Sequence, residues 1–185
     1  MRIAGGDFRG RNLAVPKGDE VRPTQDRVRE ALFNILQGAV PGAMFLDLFA
    51  GSGAVGLEAI SRGAAAATLV ELSPHHIACI QKNIAVLGVA EKVHVVRAEV
   101  REYLALQHPA VGYDIVYADP PYELGAAMGY AEMLAVLSAN GIVRPGGIFI
   151  AEMKHSQNPD VSPEWELCRD RTYGQTRLAV YRRHE

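Results

Sequence analysis

The chain has 185 residues, close to one domain, and 49% of them are hydrophobic, enough for a substantial core. A formal net charge of −2 gives no overall basic field for nucleic acid, no 18-residue apolar run offers a membrane span, and the opening MRIAGGDFRGR has no apolar signal region. Cys79 and Cys168 form no CxxC pair and read as reduced, buried thiols in a cytoplasmic setting; six histidines without ligand spacing predict no metal.

Residues 1 to 22 read as an extended or hairpin-like N-terminal extension, with a polar turn around Asp7 and Gly10 between two apolar stretches. Residues 1–29 carry seven Lys or Arg against four Asp or Glu, a local +3 on an acidic chain. That excess suits contact with RNA phosphates, and it equally suits solvated charges on an exposed hairpin. Residues 23–185 read as one domain. Thr24 is the expected cap of a first helix after Pro23, with Val28, Leu32, Ile35 and Leu36 as its apolar stripe and Gly38 as its stop.

A buried strand, Met44-Phe45-Leu46, then ends in a carboxylate, Asp47, and runs into Gly51-Ser52-Gly53-Ala54-Val55-Gly56 and a helix closed by Gly63. Strand, glycine loop and helix are how an open α/β sheet makes a crevice at its strand ends. The loop fits G-x-G-x-x-G, and Glu71, at the end of the next strand (residues 66–71), fits the acid that binds ribose hydroxyls. Asp47 would repel a pyrophosphate but suits a ligand with an ammonium group and no phosphate. S-adenosylmethionine is such a ligand; a nucleotide site and a structural turn are the competing readings.

Ser73 and Pro74 start the next helix, whose stripe is Ile77, Ile80, Ile84 and Leu87 and whose stop is Gly88. A third strand, residues 93–96, leads through Glu99 to a short helix containing Tyr103 and Leu104. The fourth strand, residues 113–118, ends in Asp119-Pro120-Pro121-Tyr122. Two prolines remove two amide donors, so the loop offers acceptors, the Asp119 carboxylate and the Pro120 carbonyl. Acceptors suit an exocyclic NH2 group, and Tyr122 suits stacking on a flat base. The competing reading is a Pro-Pro turn with a helix-capping Asp. A helix over 128–139, a turn at Arg144–Gly147, a fifth strand over 148–152 and a closing hairpin, 165–171 with 177–182, complete the chain. Repeated βα units ending in a hairpin imply a mostly parallel sheet finished by antiparallel strands.

The chain resembles class I S-adenosylmethionine-dependent methyltransferases, and more closely the small-subunit ribosomal RNA guanine-N2 methyltransferases of the RsmD type. The likeness rests on Arg2-Ile3-Ala4-Gly5-Gly6 with Arg9-Gly10-Arg11, on Arg22-Pro23-Thr24 with residues 27–36 (RVREALFNIL), on Asp47–Gly53, on Asp119–Tyr122 and on Tyr173–Thr176. It implies a Rossmann-like seven-stranded sheet and methyl transfer to a guanine N2 of ribosomal RNA in the small subunit or its assembly intermediate; the sequence leaves oligomeric state open, and nothing in it demands more than a monomer. It implies donor contacts from Asp47, Gly51, Gly53 and Glu71, with Phe49, Ser52, Leu72 and Glu99 beside them. It implies base handling by Asp119, Pro120, Pro121 and Tyr122, and phosphate contacts from Arg2, Arg9, Arg11, Arg22, Arg27 and Arg29. One departure stands out: Ala98-Glu99-Val100 occupies a place where such enzymes often carry Asp or Asn for the adenine amine. An adenine-N6 methyltransferase on DNA or RNA, a nicotinamide-dependent oxidoreductase and a non-catalytic RNA-binding module are the alternatives.

Overall fold

The computed structural model describes residues 1–16, 23–121 and 128–185. Arg22 and Tyr122 lie outside the described residues, as do the side chains of residues 23–25. The chain runs α1 (Pro23–Ile35), β1 (Met44–Asp47), α2 (Ala54–Ser61), β2 (Ala66–Glu71), α3 (Pro74–Leu87), β3 (Val93–Arg97), α4 (Val100–Leu106), β4 (Tyr113–Ala118), α5 (Tyr130–Ala139), β5 (Val143–Lys154), β6 (Trp165–Tyr173) and β7 (Thr176–Arg183). The seven strands form one sheet in the order β3-β2-β1-β4-β5-β7-β6. The first five are parallel, and β7 joins β5 and β6 antiparallel. The mostly parallel sheet with an antiparallel finish expected from the alternation of elements, and the Rossmann-like seven strands implied by the resemblance, are both observed.

The central strands β1, β2, β4 and β5 alternate their side chains between two apolar layers. Phe45, Leu69, Ile115 and Ile150 pack with α1, α2 and α3. Leu46, Val70, Val116 and Phe149 pack with α4 and α5. Burial on both faces is why the central strands read as continuous apolar runs. Helix ends follow local rules: the Ser73 hydroxyl accepts from the His76 amide, Pro74 opens α3, and Gly88 closes it at φ 69°.

Several boundaries shift. Helix α5 begins at Tyr130, because Met128, although buried, precedes the Gly129 cap. The Arg144–Gly147 turn lies inside β5: Val143 already pairs with Tyr113, the next registered pair is Ile115 with Ile148, and the residues between bulge outward. Cys79 is buried as expected, but Cys168, on edge strand β6, is half-buried.

The N-terminal extension is a docked arm rather than a free hairpin. It closes on itself through an Arg2–Asn12 bridge and the Ile3-to-Arg11 and Leu13-to-Met1 backbone bonds. It then lies along α2, with the Asp7 amide on the Ser61 carbonyl, the Phe8 amide on the Ser61 hydroxyl, and that hydroxyl donating to the Gly5 carbonyl.

Candidate active site

The strand order reverses between β1 and β4, and such a switch opens a crevice at the strand carboxyl ends. Asp47 closes β1 and is registered beside Tyr117 of β4, so Asp119 emerges just beyond it on the neighbouring strand. On the other side of β4, Ala118 pairs with Ala151 of β5, and Glu152 emerges next. Three carboxyl groups thus converge at one end of three adjacent strands.

Asp47 is only 1% exposed, and its Oδ1 has no hydrogen-bond partner. Burial raises its pKa from 3.8 to about 7; the Phe49 and Gly56 amides pull it down, while the charges of Glu71 and Glu152 push it up. Burial, followed by the nearby Glu152 and Asp47 charges, raises Asp119 well above the usual carboxylate range. Asp119 as a residue is half-buried. Glu152 is raised by burial, and the Tyr117 hydroxyl donating to its Oε2 opposes that. The Tyr130 hydroxyl donates to the Glu152 carbonyl and fixes the strand end.

The glycine loop lies against the opposite wall. Gly51 and Gly53 adopt φ values of 53° and 79°, left-handed conformations that side chains rarely take. A Cβ on Gly56 would sit 2.1 Å from Leu69 Cδ2, so this glycine lets α2 press onto β2. Glu71 holds the loop, accepting from the Gly51 amide (2.8 Å) at one oxygen and from the Ser73 amide (2.8 Å) at the other. Leu72, next to it, is 57% exposed.

The family model described as "Conserved hypothetical protein 95" matches residues 1–182. The chain is 39% identical to "Ribosomal RNA small subunit methyltransferase D" of Escherichia coli (strain K12), over 99% of this chain and 90% of that protein. The chain belongs to the ribosomal RNA small subunit methyltransferase D family. The Haemophilus influenzae protein of that name is 32% identical over 98% of this chain and 93% of its own length. Among solved structures, yhhF, a candidate methyltransferase from Escherichia coli, superposes with a TM-score of 0.86 at 38% identity, covering 100% of this chain and 98% of that one.

Within this methyltransferase D fold, Asp47, Gly51, Ser52, Gly53, Glu71, Asp119 and Pro120 gather at one crevice. Phe49 is half-buried and Pro121 exposed there. Glu99 is committed locally: its Oε2 accepts from the Glu102 amide and caps α4. Arg2, Arg9, Arg11 and Arg27 are exposed. Arg29 departs from its expected place among phosphate contacts. It is 6% exposed, ion-paired to Glu58 (3.1 Å) and Asp26 (3.0 Å), and donates to the Arg2 carbonyl. Helical spacing carries the signal: Arg29 stands three, four and seven residues before the buried Leu32, Phe33 and Leu36. Sequence reasoning also passed over Glu58, Asn83, Tyr117 and Glu152. Apart from the Glu58–Arg62 pair at i,i+4, the partners that give them their roles lie far along the chain.

Proposed function

We propose that this chain transfers a methyl group from S-adenosylmethionine to the exocyclic N2 of a guanine in small-subunit ribosomal RNA. The carrying observation is the pairing, across β1 and β4, of a buried acid with an unpartnered oxygen and an acid–proline loop free of amide donors at its two prolines. Membership of a family whose relatives are named for ribosomal RNA methylation supports the substrate class.

The residues fit the donor. The orphaned Asp47 Oδ1 is an acceptor lacking a donor, which an ammonium group supplies. Glu71 is fixed by two amides and keeps lone pairs for ribose hydroxyls. Exposed Leu72 offers a flat apolar contact for a purine ring. The donor contributes a methyl group on positively charged sulfur.

On the acceptor side, Asp119 and the Pro120 carbonyl take the two hydrogens of the guanine amine. They hold its lone pair out of conjugation and stabilise the positive charge that grows on nitrogen. An amine that has gained a methyl group releases its proton late. Asp119, which faces that amine at the end of β4, is placed to receive it. Arg2, Arg9, Arg11 and Arg27 contact RNA phosphates, while Arg29 anchors the arm that carries the first three.

Two measurements test the reading. Mass spectrometry of ribosomal RNA nucleosides from cells with and without this chain should show loss of one N2-methylguanosine; unchanged N2-methylguanosine with loss of N6-methyladenosine would transfer the assignment to adenine. The D119A chain should bind S-adenosylhomocysteine within about threefold of wild type yet lose turnover by about 10² or more. Retained turnover removes Asp119 from the mechanism.

A further inference from the structure

Asn83 lies on α3, is fully buried, and belongs to neither of the two crevice loops. Beyond its own helix, its carboxamide is held by groups from two places. Its nitrogen donates to the Ser52 carbonyl of the glycine loop (3.0 Å) and to the Ala14 carbonyl of the arm (3.1 Å), and its oxygen accepts from the Ala14 amide (2.7 Å). One amide therefore closes a bridge between the segment that carries the exposed arginines and the loop that faces the donor. A second, weaker contact runs the same way, from the Ser52 hydroxyl to the Met1 sulfur at 4.0 Å. The rest of the arm lies on α2, the helix that grows out of the glycine loop, through Glu58 and Ser61.

We infer that Asn83 is a positioning residue that couples the seated arm to the donor loop, so that S-adenosyl compounds bind best when the arm is docked. The physical reason is a shared hydrogen-bond set. An unseated arm leaves the Asn83 oxygen and one of its hydrogens without partners in a dry site, and the amide is then free to rotate away from Ser52. Coupling is reciprocal: whatever the arm contributes to donor affinity, the donor returns to arm docking. The inference rests on the assignment of residues 49–53 to the donor made above. Its consequence is that RNA gripping a seated arm would tighten the donor site.

The test uses the unaltered full chain first. Hydrogen exchange across residues 1–16, with and without saturating S-adenosylhomocysteine, should slow by about fivefold or more at Ile3, Leu13 and Ala14, whose amides have internal partners. Unchanged exchange with the ligand demonstrably bound overturns the coupling. Failure of S-adenosylhomocysteine to bind at all removes instead the donor assignment beneath it. The second test unseats the arm without touching Asn83. Gly6 has φ 77°, and a Cβ there would lie 1.8 Å from the Ser61 carbonyl oxygen, so G6V forces the arm off α2. By calorimetry, G6V should weaken S-adenosylhomocysteine about fivefold in the wild-type background and leave it unchanged in an N83A background. Equal weakening in both backgrounds overturns the role of Asn83. If N83A does not fold, the exchange experiment decides alone.

Discussion

At the scale of single residues, the crevice accepts a loss of stability for a function. Asp47 has a folded pKa of about 7 against an ordinary 3.8, so the folded state holds the proton more tightly than the unfolded chain does. Its contribution to stability is therefore most favourable below pH 4 and is lost as pH rises through 7, by up to roughly 4 kcal/mol. D47N removes the ionisation and keeps the shape. We expect its Tm to match wild type near pH 4 and exceed it at pH 8, measured by scanning calorimetry. The same variant should lose S-adenosylhomocysteine affinity at pH 8. Wild-type affinity should weaken as pH falls below about 7, approaching tenfold per pH unit, while the D47N profile stays flat. A wild-type profile as flat as that of D47N would mean that Asp47 does not meet the ligand's charge. The position of Asp47 was legible because acid, glycines and helix are contiguous in sequence. Its missing partner was not, because burial of an oxygen is decided by α2 and β2 closing around it.

At the scale of elements, the arm shows where sequence reasoning succeeds and fails. Its turn and its basic character were visible in the glycine and arginine spacing. Its seat was not, because Glu58 and Ser61 lie more than fifty residues from the arm atoms they bind. Glu58 is fully buried and shared by Arg29, Arg62 and the Ala4 amide. Removing it leaves buried Arg29 with, among the described residues, only the exposed Asp26 as a charge partner and takes a partner from Arg62, so E58A should cost about 3 kcal/mol in denaturant unfolding. The E58L/R29M pair should recover much of that, since the loss comes from a buried charge deprived of its buried partner. Exposed arginines behave differently. R9A/R11A should leave stability within about 0.5 kcal/mol and lower the slope of log K against log salt for RNA binding by about 1.5 to 2. An unaltered slope would make both residues bystanders. The β5 bulge belongs to the same lesson. Arg-Pro-Gly-Gly shifts the register rather than ending the strand, because Val143 is already paired with Tyr113, and pairing across strands is not written in either strand alone.

At the scale of the molecule, the order β3-β2-β1-β4-β5-β7-β6 brings together Asp47 and Asp119, seventy-two residues apart in sequence, because the chain winds outward from β1 in one direction and from β4 in the other. The crevice is therefore built from strands distant in sequence and exists only when β1, β4 and β5 are assembled. Unfolding should reflect this. Trp165, the sole tryptophan, is 5% exposed on β6, at the sheet edge opposite β3 and away from the glycine loop, with its ring nitrogen donating to the Leu134 carbonyl of α5. If the sheet is one cooperative unit, its fluorescence and the far-ultraviolet circular dichroism should melt together. S-adenosylhomocysteine at about a hundred times its dissociation constant should then raise both midpoints alike. The expected stabilisation of about 2.7 kcal/mol corresponds to a shift of roughly 5–10 °C for a chain of this length. A ligand that moved the dichroism transition while leaving the tryptophan transition in place would separate the donor half of the sheet from the C-terminal hairpin. Because Glu152 stands on β5, which β7 braces, it would also detach the third carboxyl from the donor side of the crevice.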